Sequence, residues 1–311
     1  MQKAYISTLY ELMRINDKVI SCLSDSGTDY DELIAREFPD RVINFGISEN
    51  NQVTAAAGMA VTGKIPFVYT TGAFIAYRSY EFLRDDICLQ NRNVKLVGMG
   101  AGLSWSTLGV THHTTEDLAL LKSLPNLTVL NPSTPKELVF AVKAAYRING
   151  PVYIRMGMSG EEEIYQDDVD FSVGKNMIVT EGTDAVVFCT GSIIAEALKA
   201  VKGLQRKGKK IRLIDVHTIV PFDEKSVVDS MDCGCFFSVE EHSVVGGLGS
   251  SIADVIAKYG LDKRLVKIGL KGFAEGFGTH AEVLMMNHLD SNSILETIEG
   301  NLYGQPFSGL C

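Results

Sequence analysis

Apolar residues in this chain fall into two rhythms that take turns along its length. Short, nearly continuous apolar runs, KVISCLSD, RVINFG, IPFVYTT, NVKLVGMG, LTVLNP and PVYIRMG, are bounded by turn residues and read as strands buried on both faces. Between them apolar positions recur at helical spacing, in ENNQVTAAAGMAVTG, RSYEFLRDDICLQN, TTEDLALLKSL and TPKELVFAVKAAYRI. The opening MQKAYISTLYELMRINDK reads as an amphipathic helix of mixed charge and not as a signal peptide. Thr114 stands three positions before Asp117, close to a capping box, and predicts that the third helix opens there. Such alternation implies a mainly parallel sheet with helices on both faces.

After Met158 the rhythm lapses into the acidic, polar SGEEEIYQDDVDFSVGKN, which reads as a crossover between domains. A second α/β pattern follows: AVVFCTG, the helix SIIAEALKAVKGLQRKG, the strands KIRLIDVHTI and FFSVEEH, the helix GSSIADVIAKYG and the strand RLVKIGL. The expectation is an α/β protein of two doubly wound domains, residues 1–172 and 173–311, with a Gly-rich, loosely ordered tail GNLYGQPFSGLC.

Composition agrees with that division. The 311 residues suffice for two domains at about 150 residues each. With 46% hydrophobic residues a large core is available, and the net charge of −9 lacks the basic stripe of a nucleic-acid binder. Six scattered cysteines form no framework, and Cys233 and Cys235 are spaced too tightly for the usual zinc pair. No apolar run reaches the length of a membrane span. A soluble cytoplasmic protein is the expectation.

In open α/β sheets, ligands sit beyond the carboxyl ends of the strands. Glu49 stands there, following RVINFG through the turn GIS and opening a helix of small apolar residues that ends at Gly63. An unpaired carboxylate beside such a helix is costly. Either Glu49 is a first-turn acid favoured by the helix dipole, or it has a partner that this chain does not supply. Two other post-strand loops are chemically rich. One carries Phe74, Tyr77 and Tyr80 at helical spacing; the other carries the sole tryptophan, Trp105, and the adjacent His112 and His113. An aromatic stripe at such spacing is commonly core packing, and paired loop histidines are commonly solvated.

The stretches FGISENNQVTAAAGMAVTGKIPFVYTTGAFIAYRSYEFLRDDI, GVTHHTTEDLALLKSLPNLTVLNPSTPKE and GPVYIRMG resemble the pyrimidine-binding domain of transketolases and their thiamine diphosphate relatives. HTIVPFD and VEEHSVVGGLGSSIADVI resemble the C-terminal domain of that superfamily. The resemblance runs in order through nearly the whole chain. It implies that Glu49 hydrogen-bonds the aminopyrimidine ring and thereby activates the cofactor, which needs a carboxyl kept from water and able to donate. It implies a stacking wall of Phe74, Tyr77 and Tyr80, with Asp25 close to the cofactor pocket. The family's diphosphate and metal (Mg2+ or Ca2+) are held through a Gly-Asp-Gly element, and GDG occurs nowhere here. The resemblance therefore implies one half of a split enzyme, whose N-terminal, diphosphate-binding partner subunit completes an α2β2 heterotetramer.

Transketolases commonly carry GEDGPTHQ where this chain has STLGVTHH. His112 keeps the family histidine over the reacting carbon, as a proton shuttle. Thr107 and Leu108 replace the acidic pair, His113 replaces the glutamine, and Gly100 stands where a phosphate-contacting histidine is usual. Losing the aspartate at Leu108 removes a hydrogen bond to a ketose hydroxyl and points to a non-standard donor or acceptor. Arg155, and with it Arg78, is implied to bind an acidic or phosphorylated group. His113 is implied to assist the transfer and Trp105 to shape the donor pocket. The reading is a transketolase-like transferase of a two-carbon ketol or related unit. The beta subunit of a 2-oxo acid dehydrogenase first component, or a non-catalytic regulatory subunit, is the alternative. GGLGSS resembles an anion-binding loop, although glycine at a tight turn is the commoner reason; His217, His242 and His280 take no role beyond polar interface positions.

Overall fold

The computed structural model describes residues 1–25, 34–158, 161–166 and 169–302. The expected tail lies outside these from residue 303 onward. Six strands, β1 (Val19–Leu23), β2 (Val42–Asn44), β3 (Ile65–Thr71), β4 (Lys95–Met99), β5 (Thr128–Leu130) and β6 (Val152–Met156), pair in parallel. The second half supplies β7 (Met177–Thr180), β8 (Ala185–Thr190), β9 (Ile211–Asp215), β10 (Thr218–Val220), β11 (Cys235–Ser243) and β12 (Leu265–Leu270). Their orders are β10-β5-β6-β4-β3-β1-β2 in a seven-stranded sheet and β12-β11-β8-β9-β7 in a five-stranded one. Both sheets are doubly wound α/β layers, as the alternation implied.

The unbroken apolar runs are explained by burial on both faces. Ile20, Cys22, Val68 and Leu96 point towards Val53, Ala56 and Ala57 of the helix Glu49–Val61. Val19, Leu23, Phe67, Tyr69 and Val97 point the other way, onto the helices Gln2–Ile15 and Pro135–Arg147. Each fully buried Val or Leu contributes about 1.5–3 kcal/mol. In the second sheet, Ala185, Val187, Leu213 and Phe237 meet the helices Ile194–Arg206 and Ser291–Leu302. Its other face, with Val186, Phe188 and Ile214, joins the same core as the helix Glu49–Val61. No helix among the described residues is long and apolar enough to cross a membrane.

Three local expectations are corrected. KIRLIDVHTI is not one strand: the chain breaks after Asp215, and Thr218–Val220 leaves its own sheet to pair antiparallel with β5. Asn131 N–H donates to His217 C=O at 2.8 Å, and Ser133 Oγ donates to the buried Asp215 at 2.5 Å, which together draw the strand across. The helix expected to open at Thr114 is a short turn, Asp117–Leu121, with Glu116 at its N-cap. Asp117 is engaged by an arginine of β6 and does not cap that helix. The third correction concerns RSYEFLRDDICLQN, which follows a π-type turn at Phe74–Arg78 and winds as a brief α-helical Tyr80–Phe82 and a second π-type turn at Leu83–Cys88. A π turn closes i→i+5 bonds, so residues three apart no longer share a face.

Candidate active site

The turn after β2 delivers Glu49 as the first residue of its helix, with Gly46 in a left-handed conformation (φ +65°). The helix packs its small residues tightly on the sheet, so the Glu49 side chain is only 2% exposed. Its Oε2 accepts from Arg78 Nη1 at 2.8 Å. Glu49 is thus a first-turn acid, as one alternative had it, and the chain also supplies it with a partner, an arginine whose side chain is 53% exposed. The Arg78 guanidinium lies over the Phe74 ring, 5.5 Å from its centroid. Phe74 meets the His112 ring edge-on at 5.2 Å, and His112 meets Trp105 at 6.2 Å. His112 Nδ1 is hydrogen-bonded with Thr111 Oγ1 at 2.9 Å. Glu49, Arg78, Phe74, His112 and Trp105 therefore form one continuous row, contributed by the segments that follow β2, β3 and β4 of one sheet.

The π-type winding splits the aromatic stripe. Tyr77 turns inward: its hydroxyl donates to Glu116 Oε2 at 2.8 Å and accepts the backbone N–H groups of Thr115 and Glu116, each at 2.9 Å. Burial pushes the Tyr77 hydroxyl pKa far up, so it stays a donor. Tyr80 reaches Ser123 Oγ at 3.3 Å. Only Phe74 of the three joins the row. Asp25 sits two residues beyond β1, where Asn44 Oδ1 takes the backbone N–H groups of Asp25 (3.0 Å) and Gly46 (2.9 Å), tying the ends of β1 and β2 together. Gly100 makes room for the indole: a Cβ there would collide with Trp105 Nε1, which is buried without a hydrogen bond.

Arg155 is held from within the chain. It is 2% exposed, its Nε donates to both carboxylate oxygens of Asp117 (3.1 and 2.9 Å), and its Nη2 donates to the carbonyls of Thr114 and Glu241. With Nε and Nη2 so occupied, the guanidinium is an internal cross-brace between the two halves of the chain. The sequence could have revealed this only through Asp117, which the capping-box pattern claimed for a helix start. The glycine loop GGLGSS is likewise served internally. Glu240 takes the N–H groups of Leu248 (2.7 Å) and Gly249 (2.9 Å), so the anion at that helix start is the protein's own carboxylate. Its burial pushes the Glu240 pKa up to about 7 against those two donors.

His113 is 2% exposed, and neither ring nitrogen has a hydrogen-bond partner within the chain. Burial holds its pKa below the usual histidine range, opposed by the charges of Glu241 and Glu116. Sequence reasoning missed Glu116, Glu241 and His280. Two of them lie within stretches already singled out, but their proximity is a product of domain packing.

The fold and the row define a class first: a two-domain α/β chain with a buried acid, an aromatic face and an imidazole at the open ends of a parallel sheet. The chain belongs to the transketolase family, matching its descriptions "Transketolase, pyrimidine binding domain" over residues 1–159 and "Transketolase, C-terminal domain" over residues 174–294. It is 34% identical over 301 residues to a protein of Methanocaldococcus jannaschii named "Putative transketolase C-terminal section", covering 96% of this chain and 95% of that one. It is 33% identical over 263 residues to one of the subunits of the apulose-4-phosphate transketolase of Actinobacillus succinogenes, covering 84% of this chain and 85% of that one. A solved structure described as "Split gene transketolase, inactive beta4 tetramer" superposes with a TM-score of 0.88 at 33% identity, covering 98% of both chains.

Proposed function

We propose that this chain is the C-terminal (beta) subunit of a split, thiamine-diphosphate-dependent transketolase that moves a two-carbon ketol or related unit. The observation that carries the reading is Glu49, buried at the start of its helix and joined through Arg78 and Phe74 to His112. The fit to the pyrimidine end of the cofactor rests on that buried acid, on the Phe74 face, and on buried Trp105 and His113 nitrogens that the chain leaves unbonded. Thiamine diphosphate would supply a carbon nucleophile able to attack a donor carbonyl. Glu49 would hold the aminopyrimidine ring and Phe74 would cover it. Thr111 holds His112 Nδ1, which leaves Nε2 to pass a proton to or from the donor oxygen. Arg78, half in solvent, is the residue here suited to an anionic substrate group once it leaves Glu49. Leu108, exposed in the loop that carries His112, offers a ketose hydroxyl no hydrogen bond and supports a non-standard donor or acceptor.

The diphosphate and its Mg2+ or Ca2+ would be held by an N-terminal partner subunit in an α2β2 assembly. The absence of a GDG sequence supports this. Relatives named as transketolase subunits point the same way. The test is co-expression with the thiamine-diphosphate-domain subunit, calorimetry with thiamine diphosphate and Mg2+, and donor turnover across ketose phosphates, pyruvate and hydroxypyruvate. Cofactor-dependent turnover that collapses in Glu49→Gln is the expected result. Tight cofactor binding without turnover, unaffected by the substitution, would sink the catalytic reading.

A further inference from the structure

The loop that carries Trp105, His112 and His113 closes on a narrow neck, and that neck is gripped from the C-terminal half. Gly102 and Thr114 exchange backbone hydrogen bonds at 3.0 and 2.9 Å, joining the loop's two arms. Glu241, at 3% exposure in β11, accepts the Leu103 N–H through Oε2 at 3.0 Å. The same oxygen pairs with His280 Nε2 at 2.9 Å. Gly102 lies against this carboxylate so closely that a Cβ would stand 2.6 Å from both Glu241 Cβ and Oε2. Behind the neck, Arg155 Nη2 ties the Thr114 carbonyl (2.6 Å) to the Glu241 carbonyl (3.0 Å). The second domain thus reaches one arm through the Glu241 side chain and the other through Arg155 and through Ser243 N–H, which donates to the Thr115 carbonyl at 2.8 Å.

We propose that Glu241 and His280 are positioning residues, a charged pair that clamps the loop's neck and so fixes where Trp105, His112 and His113 stand. As a contribution to the reaction this rests on the transfer reading above; as a clamp on the loop it does not. The groups facing His280 are Glu241, Glu161, Glu196 and His113; those facing Glu241 are His280, Arg155, Ser192 and the Leu103 N–H. The Glu241 charge, opposed by burial, holds the His280 pKa above its usual value. A raised histidine pKa stabilises the fold fully below the unfolded value, about 6.5, and the contribution is lost as pH rises through the folded value. The clamp therefore loosens on the alkaline side.

Trp105 is the chain's only tryptophan and lies inside the clamped loop, so it reports directly. Its emission and acrylamide quenching would be followed from pH 6 to pH 9 in wild type, His280→Gln and Glu241→Gln, with circular dichroism and Tm recorded in parallel. The wild type should show an alkaline rise in quenching. Both variants should lose that transition and be quenched more readily at every pH. Any effect of His112 on the neighbouring indole persists in all three chains and cancels in the comparison. Should Glu241→Gln fail to fold, His280→Gln carries the test, because the His280 side chain is partly exposed. An alkaline transition that survives unchanged in His280→Gln would overturn the proposal, as would equal quenching in folded chains. Neither cofactor nor partner is needed, so this result stands or falls apart from the transfer reading.

Discussion

Asp117→Asn removes one charge from the most deeply buried ion pair of the site region and leaves Arg155 in place. Both side chains are essentially out of solvent, at 0% and 2% exposure. Asp117 also accepts from Tyr153 Oη at 2.9 Å. Breaking a buried pair by removing one partner destabilises by about 3–5 kcal/mol, because the remaining charge is uncompensated. The asparagine keeps one acceptor for Tyr153 or Arg155, which places the expected loss near the lower end, about 3 kcal/mol. That is a large part of a typical folding stability of about 5–15 kcal/mol. Arg155→Met adds a different injury: the Glu241 carbonyl loses its Arg155 donor, worth about 1–3 kcal/mol, while the Thr114 carbonyl keeps the Gly102 N–H. Urea unfolding of both single variants and the double variant would close a thermodynamic cycle. The double variant should be more stable than the sum of the singles by about 3 kcal/mol, since each partner is harmful only while the other stays charged. Additivity within about 0.5 kcal/mol would refute the brace.

Three further outcomes are expected. Burial, then the Asp215 charge, raises the Glu137 pKa, and burial lifts Asp215 to about 6. Groups whose folded pKa is raised favour the fold while protonated, so stability falls as pH climbs from the unfolded carboxyl range through the folded values. Glu137→Gln, which mimics the protonated acid, should therefore melt like wild type at pH 4 and higher than wild type at pH 8; an equal loss at both would contradict the assignment. Gly102→Ala forces a residue at φ +59° into the left-handed region, which disfavours it by about 1–2 kcal/mol before its contact with Glu241 is counted. Its Tm should drop and its Trp105 emission should move towards that of a solvated indole. Arg78→Gln should lower stability by no more than about 1 kcal/mol in urea, because over half of the arginine is in solvent. A much larger loss would mean that Glu49 relies on Arg78 alone for compensation.

The alternation of buried strands and amphipathic helices was legible because double burial leaves no polar face, as in β1, β4, β6 and β8. Glu49, the aromatic loop and the histidine loop were legible for a topological reason: each follows a strand of one sheet. The winding of the Phe74 segment was not, since α and π turns draw on the same residues and differ only in where one extra residue is accommodated. The bracing of Arg155 was not legible either, since nothing in YIRMG names the partners of its guanidinium. Asp117, 38 positions away, and Glu241, 86 positions away, occupy it through contacts that no local pattern encodes.

The departure of Thr218–Val220 from its own half has a consequence for how such a chain can be taken apart. Those three residues cover the outer edge of β5, itself only three residues long. Cutting near residue 172 would strip that cover and present an unpaired parallel edge, an invitation to pair with another chain. Exchanging the second half for that of a relative would succeed only if the incoming stretch still fits β5. The inheritable unit is therefore not either half but the stitched pair, and recombination at the apparent seam should yield chains that associate wrongly before they fail to fold.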